Sequence, residues 1–326
     1  MLCVNTVFEK LTSFKKTVVL AGGVGGARFL QGLIRILPPD RLDIIGNVGD
    51  DIELYGLHIS PDLDTVMYTI AGLVDEEKGW GLKKDSFNFL QMFKHYDRRT
   101  WFKIGDMDVA THIFRTFLIQ QGLPLSEVTQ ILCRNLGVKY NIIPVTDDKV
   151  RTKVDTKEGL LDFQEYFVKK QFEIEIKKVI FEGANDSIPN SNALKTIEKA
   201  QTIIFAPSNP IVSIGCILSV PGIKEAIKRS KAYKVAISPI IGGKAVRGPA
   251  HNMMKELRNE PSSFGVAAIY KELINVMIID NRDVNLKTSI NDLGMSVIVT
   301  NTLMSNMDSK INLARLALNS MSDVQS

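Results

Sequence analysis

Hydrophobic positions in this chain fall into short continuous runs and helical stripes that alternate for most of its length. Thr17 to Leu20 (TVVL) are β-branched or apolar throughout, which predicts a short buried strand. Glycines follow, and Phe29, Leu30, Leu33, Ile34 and Leu37 then recur at helical spacing, predicting a helix that Pro38-Pro39 ends. Leu42, Ile44 and Ile45 suit a second strand. Strand, glycine turn, helix and strand make a βαβ unit, which implies a parallel sheet covered by helices. TIIFAPSNP (202–210), YKVAISPIIGG (233–243), NVMIID (275–280) and MSVIVTNT (295–302) repeat the pattern, and 308–321 reads as a closing helix.

The middle of the chain has a different rhythm. Residues 81–136 read as mostly helical, with breaks near 100–105 and at Gly122-Leu123-Pro124. Residues 141–182 alternate as strands do, with turn signals at Asp147-Asp148 and Glu158-Gly159. The expected architecture is α/β: a Rossmann-like, doubly wound, mostly parallel sheet. It forms one domain over 17–326, with a helical and β-hairpin insertion at about 81–199. Residues 1–16 are expected to be an N-terminal tail.

Composition narrows the function classes. With 45% hydrophobic and 23% charged residues, a chain of 326 can bury a substantial core. The formal net charge of +4 comes without a long Lys/Arg run. No nucleic-acid or membrane patch is therefore expected, while small anions would be welcome. Cys3, Cys133 and Cys216 are too scattered for a disulfide framework or a zinc site, which favours a cytoplasmic location. Glu9 and Lys10 interrupt the start before a signal-peptide core can form, and no apolar run reaches membrane-spanning length.

Candidate chemistry gathers where strands end. In AGGVGGARFL, Gly23, Val24, Gly25 and Gly26 form a turn whose N–H groups could approach a phosphate, with Arg28 close behind. A purely structural tight turn is the other reading. Gly23 and Gly25 match the first two glycines of a dinucleotide fingerprint, but Arg28 stands where the third belongs. Asn47 replaces the ribose-binding acid, and no Walker lysine is present.

In NVGDDIELYGLHISPDLDT, five acidic side chains lie between positions 50 and 64. Ser60 as cap, Pro61 at the first position and acids in the first turn would explain Asp62 and Asp64 as helix-start chemistry. Asp50-Asp51 need another reason. Carboxylates from two successive loops facing a phosphate turn would suit magnesium bridging protein and diphosphate. Lys103, Asp106, Asp108 and His112 crowd one polar stretch, in which an aspartate N-cap and a satisfied helix histidine are the plainer readings. Ser208-Asn209 and the loop with Gly242, Gly243, Lys244 and Arg247 follow further predicted strands and could add polar donors and a second anion cradle.

Taken in order, GGVGGARFL, NVGDDIELYGLHISPDLDTVMY, GWG at 79–81, KIGDMDVATH, APSNPIVSIGCIL and SPIIGGKAVRGPA resemble the 2-phospho-L-lactate transferase family, from about residue 17 to the C-terminus. The resemblance implies a magnesium-dependent phosphotransferase of coenzyme F(420) biosynthesis. Its donor would be a guanosine-diphosphate-activated three-carbon acid of the lactyl, enolpyruvyl or glyceryl type. Its acceptor would be the deazaflavin Fo, whose terminal ribityl hydroxyl attacks phosphorus as GMP departs. It also implies Asp50 and Asp64 as metal ligands and catalytic residues, with Asp64 near the Fo hydroxyl. Lys103, Asp106 and His112 would bind Fo. Gly23–Gly26, Arg28, Ser208, Asn209, Gly242, Gly243, Lys244 and Arg247 would surround the nucleotide phosphates. A homodimer or larger assembly is expected.

Trp80, Phe87, Trp101 or Phe102 could stack on the deazaflavin, although aromatic residues on helices are more often core. Two rivals remain: a non-catalytic nucleotide-sugar-binding regulator of the same superfamily, and an NAD-dependent oxidoreductase. The first would carry a glycine- and serine-rich segment where DDIELYGLHISPDLDT stands; the second lacks its third glycine.

Overall fold

The structure is a computed structural model that describes residues 16–97, 100–245 and 248–323. Thr17–Ala21 (β1) has every side chain buried, as expected of a strand covered on both faces. It pairs in parallel with Leu42–Gly46 (β2) on one side and with Thr202–Phe205 (β9) on the other. Beyond β2 lies Asn141–Pro144 (β5). Beyond β9 lie Tyr233–Ile237 (β10), Val276–Asp280 (β13) and Ser296–Thr300 (β14). The seven strands run in the order β14-β13-β10-β9-β1-β2-β5, parallel at every pairing. The doubly wound, mostly parallel α/β sheet read from the hydrophobic runs is therefore present. The chain leaves β1 toward one edge and returns at β9 to build toward the other. The crevice between β1 and β9 is the switch point where ligands of such sheets bind.

The first helix, α1 (Gly23–Leu33), begins inside the glycine run and stops before Pro38-Pro39. It packs on the closing helix Met307–Asp323 and on α2 (Pro61–Ile70). Gly32 permits the first of these contacts, since a Cβ there would sit 2.3 Å from the Lys310 carbonyl oxygen.

The middle segment differs from the expected single insertion, because β5 belongs to the central sheet. Before it come α3 (Asn88–Phe93), α4 (Asp106–Gln120) and the helix Leu125–Asn135. After it comes a three-stranded antiparallel sheet of Arg151–Thr156 (β6), Gly159–Asp162 (β7) and Ile176–Glu182 (β8), in the order β7-β6-β8. A small hairpin, Ile52–Leu54 (β3) and Leu57–Ile59 (β4), joins β2 to α2. Ile52 and Ile59 pack with Ile104 and Val109, which ties this hairpin to the start of α4. No helix among the described residues is long and apolar enough to cross a membrane.

Candidate active site

The loops at the carboxyl ends of β1, β2, β9, β10 and β14 open into one cavity of about 750 Å³. Gly22 to Gly25 and Arg28 line it from β1 and α1; Pro207, Ser208 and Asn209 line it from β9. These two loops are stitched together. Gly22 N–H donates to Ser208 Oγ at 3.1 Å, and that hydroxyl donates to the Gly22 carbonyl at 2.8 Å. The glycines are what allow this closeness. A Cβ on Gly25 would lie 2.1 Å from the Pro207 carbonyl oxygen, and one on Gly26 would lie 2.6 Å from Ser208 Oγ. Gly26 therefore serves loop packing and is not among the cavity-lining residues. Arg28 stands in the second turn of α1 and donates to the Glu76 carbonyl at 3.3 Å.

The acidic residues divide into three roles. Asp51 is buried and ties the β2 loop to the hairpin, accepting from Ser60 Oγ at 2.8 Å and facing His58 Nε2 at 2.9 Å. Ser60 thus gives its hydroxyl to Asp51 and makes no side-chain cap on α2. Asp50 and Asp62 form the second group, both buried and both on the cavity wall. Asp62 accepts from Asn47 Nδ2 at 2.9 Å and lies so near the glycine turn that a Cβ on Gly22 would meet its Oδ2 at 2.2 Å. Asp50 Oδ1 is buried without a hydrogen-bond partner among the described residues. Burial and the neighbouring Asp62 charge push the Asp50 carboxyl well above the ordinary aspartate range. Burial also pushes Asp62 up, to about 6.

Such a pair, short of positive charge, fits a hard divalent cation. Among the described residues no group of three or more His, Cys, Asp or Glu side chains could enclose a metal. An ion on Asp50 and Asp62 would therefore complete its shell with water and substrate oxygens, as magnesium commonly does.

Asp64, expected as the second ligand beside Asp50, is engaged elsewhere. Arg115 Nη1 donates to its Oδ2 at 3.0 Å and Arg115 Nη2 donates to Oδ1. The same Nη1 lies 3.2 Å from His112 Nδ1, and His112 Nε2 lies 3.3 Å from Asp108 Oδ1. Tyr68 Oη–H donates to Asp108 Oδ1 at 2.7 Å. Burial raises the Asp64 carboxyl against the pull of Arg115 and His112. Burial also works to raise Asp108, but the His112 and Tyr68 contacts outweigh it and leave that group lowered. Asp64, Tyr68, Asp108 and His112 all line the cavity.

The remaining expected residues separate cleanly. Lys103 lines the cavity beside Trp101 and Phe102, and Trp80 joins them from the preceding loop; Phe87 does not. Asp106 is not on the wall. Its carboxylate accepts from the backbone N–H groups of Asn88 and Phe89 and from Ser86 Oγ, so it secures the start of α3. The Ser86 and backbone donors hold it down to about 2. Gly242, Gly243 and Lys244 also miss the cavity. The two glycines, with φ of 57° and 72°, make the turn between Ile240–Ile241 (β11) and Lys244–Ala245 (β12), and Gly242 N–H is given to Asp283. Ser238, Pro239 and Gly248 to Ala250 line the wall on that side instead. Arg247 lies outside the described residues.

Sequence reading missed several contributors. Helix-start chemistry accounts for Asp62 in the sequence and hides its place on the wall. Phe163, Gln164 and Phe167, from the segment after β7, carry no motif that announces them. Arg115 sits in the predicted helix with no local signal that it faces inward.

Comparison with known proteins follows the same outline. The family model described as 2-phospho-L-lactate transferase CofD matches residues 17–308. A phosphoenolpyruvate transferase of Streptomyces coelicolor is 40% identical over 316 residues, covering 95% of this chain and 99% of that protein. A 2-phospho-L-lactate transferase of Methanocaldococcus jannaschii is also 40% identical, over 91% of this chain and 95% of its own. A crystal structure of a UPF0052-family protein from Bacillus halodurans superposes with a TM-score of 0.61 at 18% identity. It covers 93% of this chain and 98% of that one, a likeness of fold.

Proposed function

Because this chain belongs to the 2-phospho-L-lactate transferase CofD family and is a transferase, we propose that it acts in coenzyme F(420) biosynthesis on two small molecules. It transfers a phospho-lactyl, phosphoenolpyruvyl or phosphoglyceryl group from a guanosine-diphosphate-activated acid to the terminal ribityl hydroxyl of Fo. The new O–P bond forms as the bond to the GMP oxygen breaks, and the hydroxyl proton is lost. The observation that carries this reading is one shared cavity. It joins a glycine turn, three buried carboxylates and an aromatic wall at the switch point of the sheet.

Phosphoryl transfer asks a protein mainly for positioning and charge stabilisation. The Gly23 N–H is given to Asp62, and the Val24–Gly25 backbone at the start of α1 supplies N–H groups for the donor's phosphates, where the helix end adds partial positive charge. Asn209 stands beside it with its Oδ1 committed to Ile211 N–H at 2.9 Å, so its amide orientation is fixed. Magnesium, held by Asp50 and Asp62, would screen the diphosphate's charge. Asp64 is the carboxylate left for the acceptor hydroxyl, as general base. Lys103 and His112 bind Fo near Trp80, Trp101 and Phe102, whose flat faces suit a deazaflavin ring. The working form is a homodimer.

The test is product identity. Purified protein given Fo and each guanylylated acid in turn is expected to release GMP and form the matching phosphodiester with at least one donor, as seen by mass spectrometry. Release of no GMP with any donor, at any magnesium concentration, contradicts the proposal.

A further inference from the structure

Arg115 is 1% exposed, yet it stands on a helix whose Ile113, Phe114 and Phe117 are 53%, 38% and 52% exposed. A polar residue has taken the inward position and apolar residues the outward ones. Burying an ion pair is costly, and a hydrophobic replacement is often at least as stable. The arrangement therefore calls for a reason beyond stability.

The contacts supply one. Arg115 grips both oxygens of Asp64, and its Nη1 also reaches His112 Nδ1 at 3.2 Å. A guanidinium has only donors. Nδ1 must then be the accepting, unprotonated nitrogen, and the ring carries its proton on Nε2. That Nε2 is buried, lies in a cavity-lining residue and has no aligned hydrogen-bond partner among the described residues. Asp108 Oδ1 sits 3.3 Å away.

We propose that Arg115 is a positioning residue for the transfer. Its fork fixes the orientation of the Asp64 carboxylate, and its donation to Nδ1 fixes His112 as an Nε2–H donor at the cavity wall. That Nε2–H faces Asp108 Oδ1 at 3.3 Å, so Arg115 orders the Asp64 and Asp108 carboxylates together on the acceptor side of the cavity. The inference rests on the reading of Asp64 and His112 as acceptor-side groups. Lysine cannot reproduce it, since one ammonium has no planar fork to serve two carboxylate oxygens and a ring nitrogen at fixed angles.

The experiment combines substrate-independent spectroscopy with kinetics on Arg115→Lys and Arg115→Met. Long-range ¹⁵N–¹H spectra, with His112 assigned by its loss in His112→Gln, report the tautomer with no ligand present. The wild type is expected to show Nε2 protonated and Nδ1 bare, and both variants to lose that single tautomer. Steady-state turnover is expected to fall about 10²-fold in Arg115→Met, the scale of an ångström-level misplacement, with KM rising for Fo but not for the guanylylated donor. Arg115→Lys is expected to melt close to the wild type and still show a raised KM for Fo. It keeps the inference testable where Arg115→Met fails to fold. Unchanged tautomer and unchanged Fo kinetics in a folded Arg115→Lys overturn the inference. A wild type that turns over no Fo defeats the functional reading instead, while the tautomer spectra still decide whether Arg115 sets His112.

Discussion

Asp50, Asp62 and Asp64 share one wall but differ in what faces them, and their substitutions should separate accordingly. Asp64 has Arg115 against both oxygens, whereas Asp50, beside Asp62, has an oxygen with no partner among the described residues. Asp64→Asn is expected to lower kcat by ~10²–10⁴-fold, the usual worth of a general base, while leaving magnesium-induced thermal stabilisation intact. Asp50→Asn and Asp62→Asn should remove that stabilisation along with turnover; a retained magnesium response in either variant would count against their place at the ion. Lys103→Ala is expected to raise KM for Fo more than KM for the donor, and equal effects would take Lys103 out of the acceptor site. Individual aspartates were legible in the sequence as a cluster, but their division was not. Spacing along α2 puts Asp62 and Asp64 two residues apart on different sides of a helix, and only the partners Asn47 and Arg115, 15 and 51 residues away, show which carboxylate an arginine already neutralises.

The elements that frame the site were read well where hydrophobic runs are continuous. β1, β2, β9 and β13 are buried at every position and β10 over its last three residues, so they show in the sequence as mainly apolar runs; β14, at the sheet edge, is only partly buried but is still marked by its Val and Ile. β5 escaped assignment because NIIP is short and sits among alternating strands, so its parallel pairing with β2 had no local mark. The direction of α4 escaped for a different reason. Its outward residues include Ile113, Phe114 and Phe117, and an inward Arg115 inverts the usual stripe. The second anion cradle is expected from Gly242, Gly243, Lys244 and Arg247 after a predicted strand, yet Gly242 and Gly243 are spent on the positive-φ turn of β11–β12 and Lys244 is off the cavity wall. The glycine turn after β1 is different, because there closeness between loops is the point. Gly25→Ala would place its Cβ 2.1 Å from the Pro207 backbone oxygen. We expect a loss of ~1–3 kcal/mol, the usual cost of overpacking, read as a lower urea midpoint with a weaker hold on the donor. An unchanged midpoint would mean that the β1 and β9 loops are not in contact.

At the scale of the whole molecule, the sheet delivers loops from both of its halves to one crevice, and with them a surplus of buried negative charge. That surplus makes folding pH-dependent. An ordinary aspartate releases its proton near 3.8, but Asp62 in the fold holds it to about 6. Between those values the unfolded chain sheds a proton that the folded chain keeps, so stability falls as pH rises through that window and stays reduced above it. A cation bound only by the folded chain should offset this, by about 2.7 kcal/mol at a hundred times its Kd. Thermal melts are expected to show magnesium raising Tm more at pH 7.5 than at pH 5, with the difference absent in Asp62→Asn; equal shifts at both pH values would place the ion elsewhere. The most direct measurement is chemical. With Fo, a guanylylated lactyl or enolpyruvyl donor and magnesium, we expect GMP and an Fo phosphodiester in equal amounts, and neither in Asp50→Asn. Donor hydrolysis to GMP with no modified Fo, or full product formation by Asp50→Asn, would contradict that expectation.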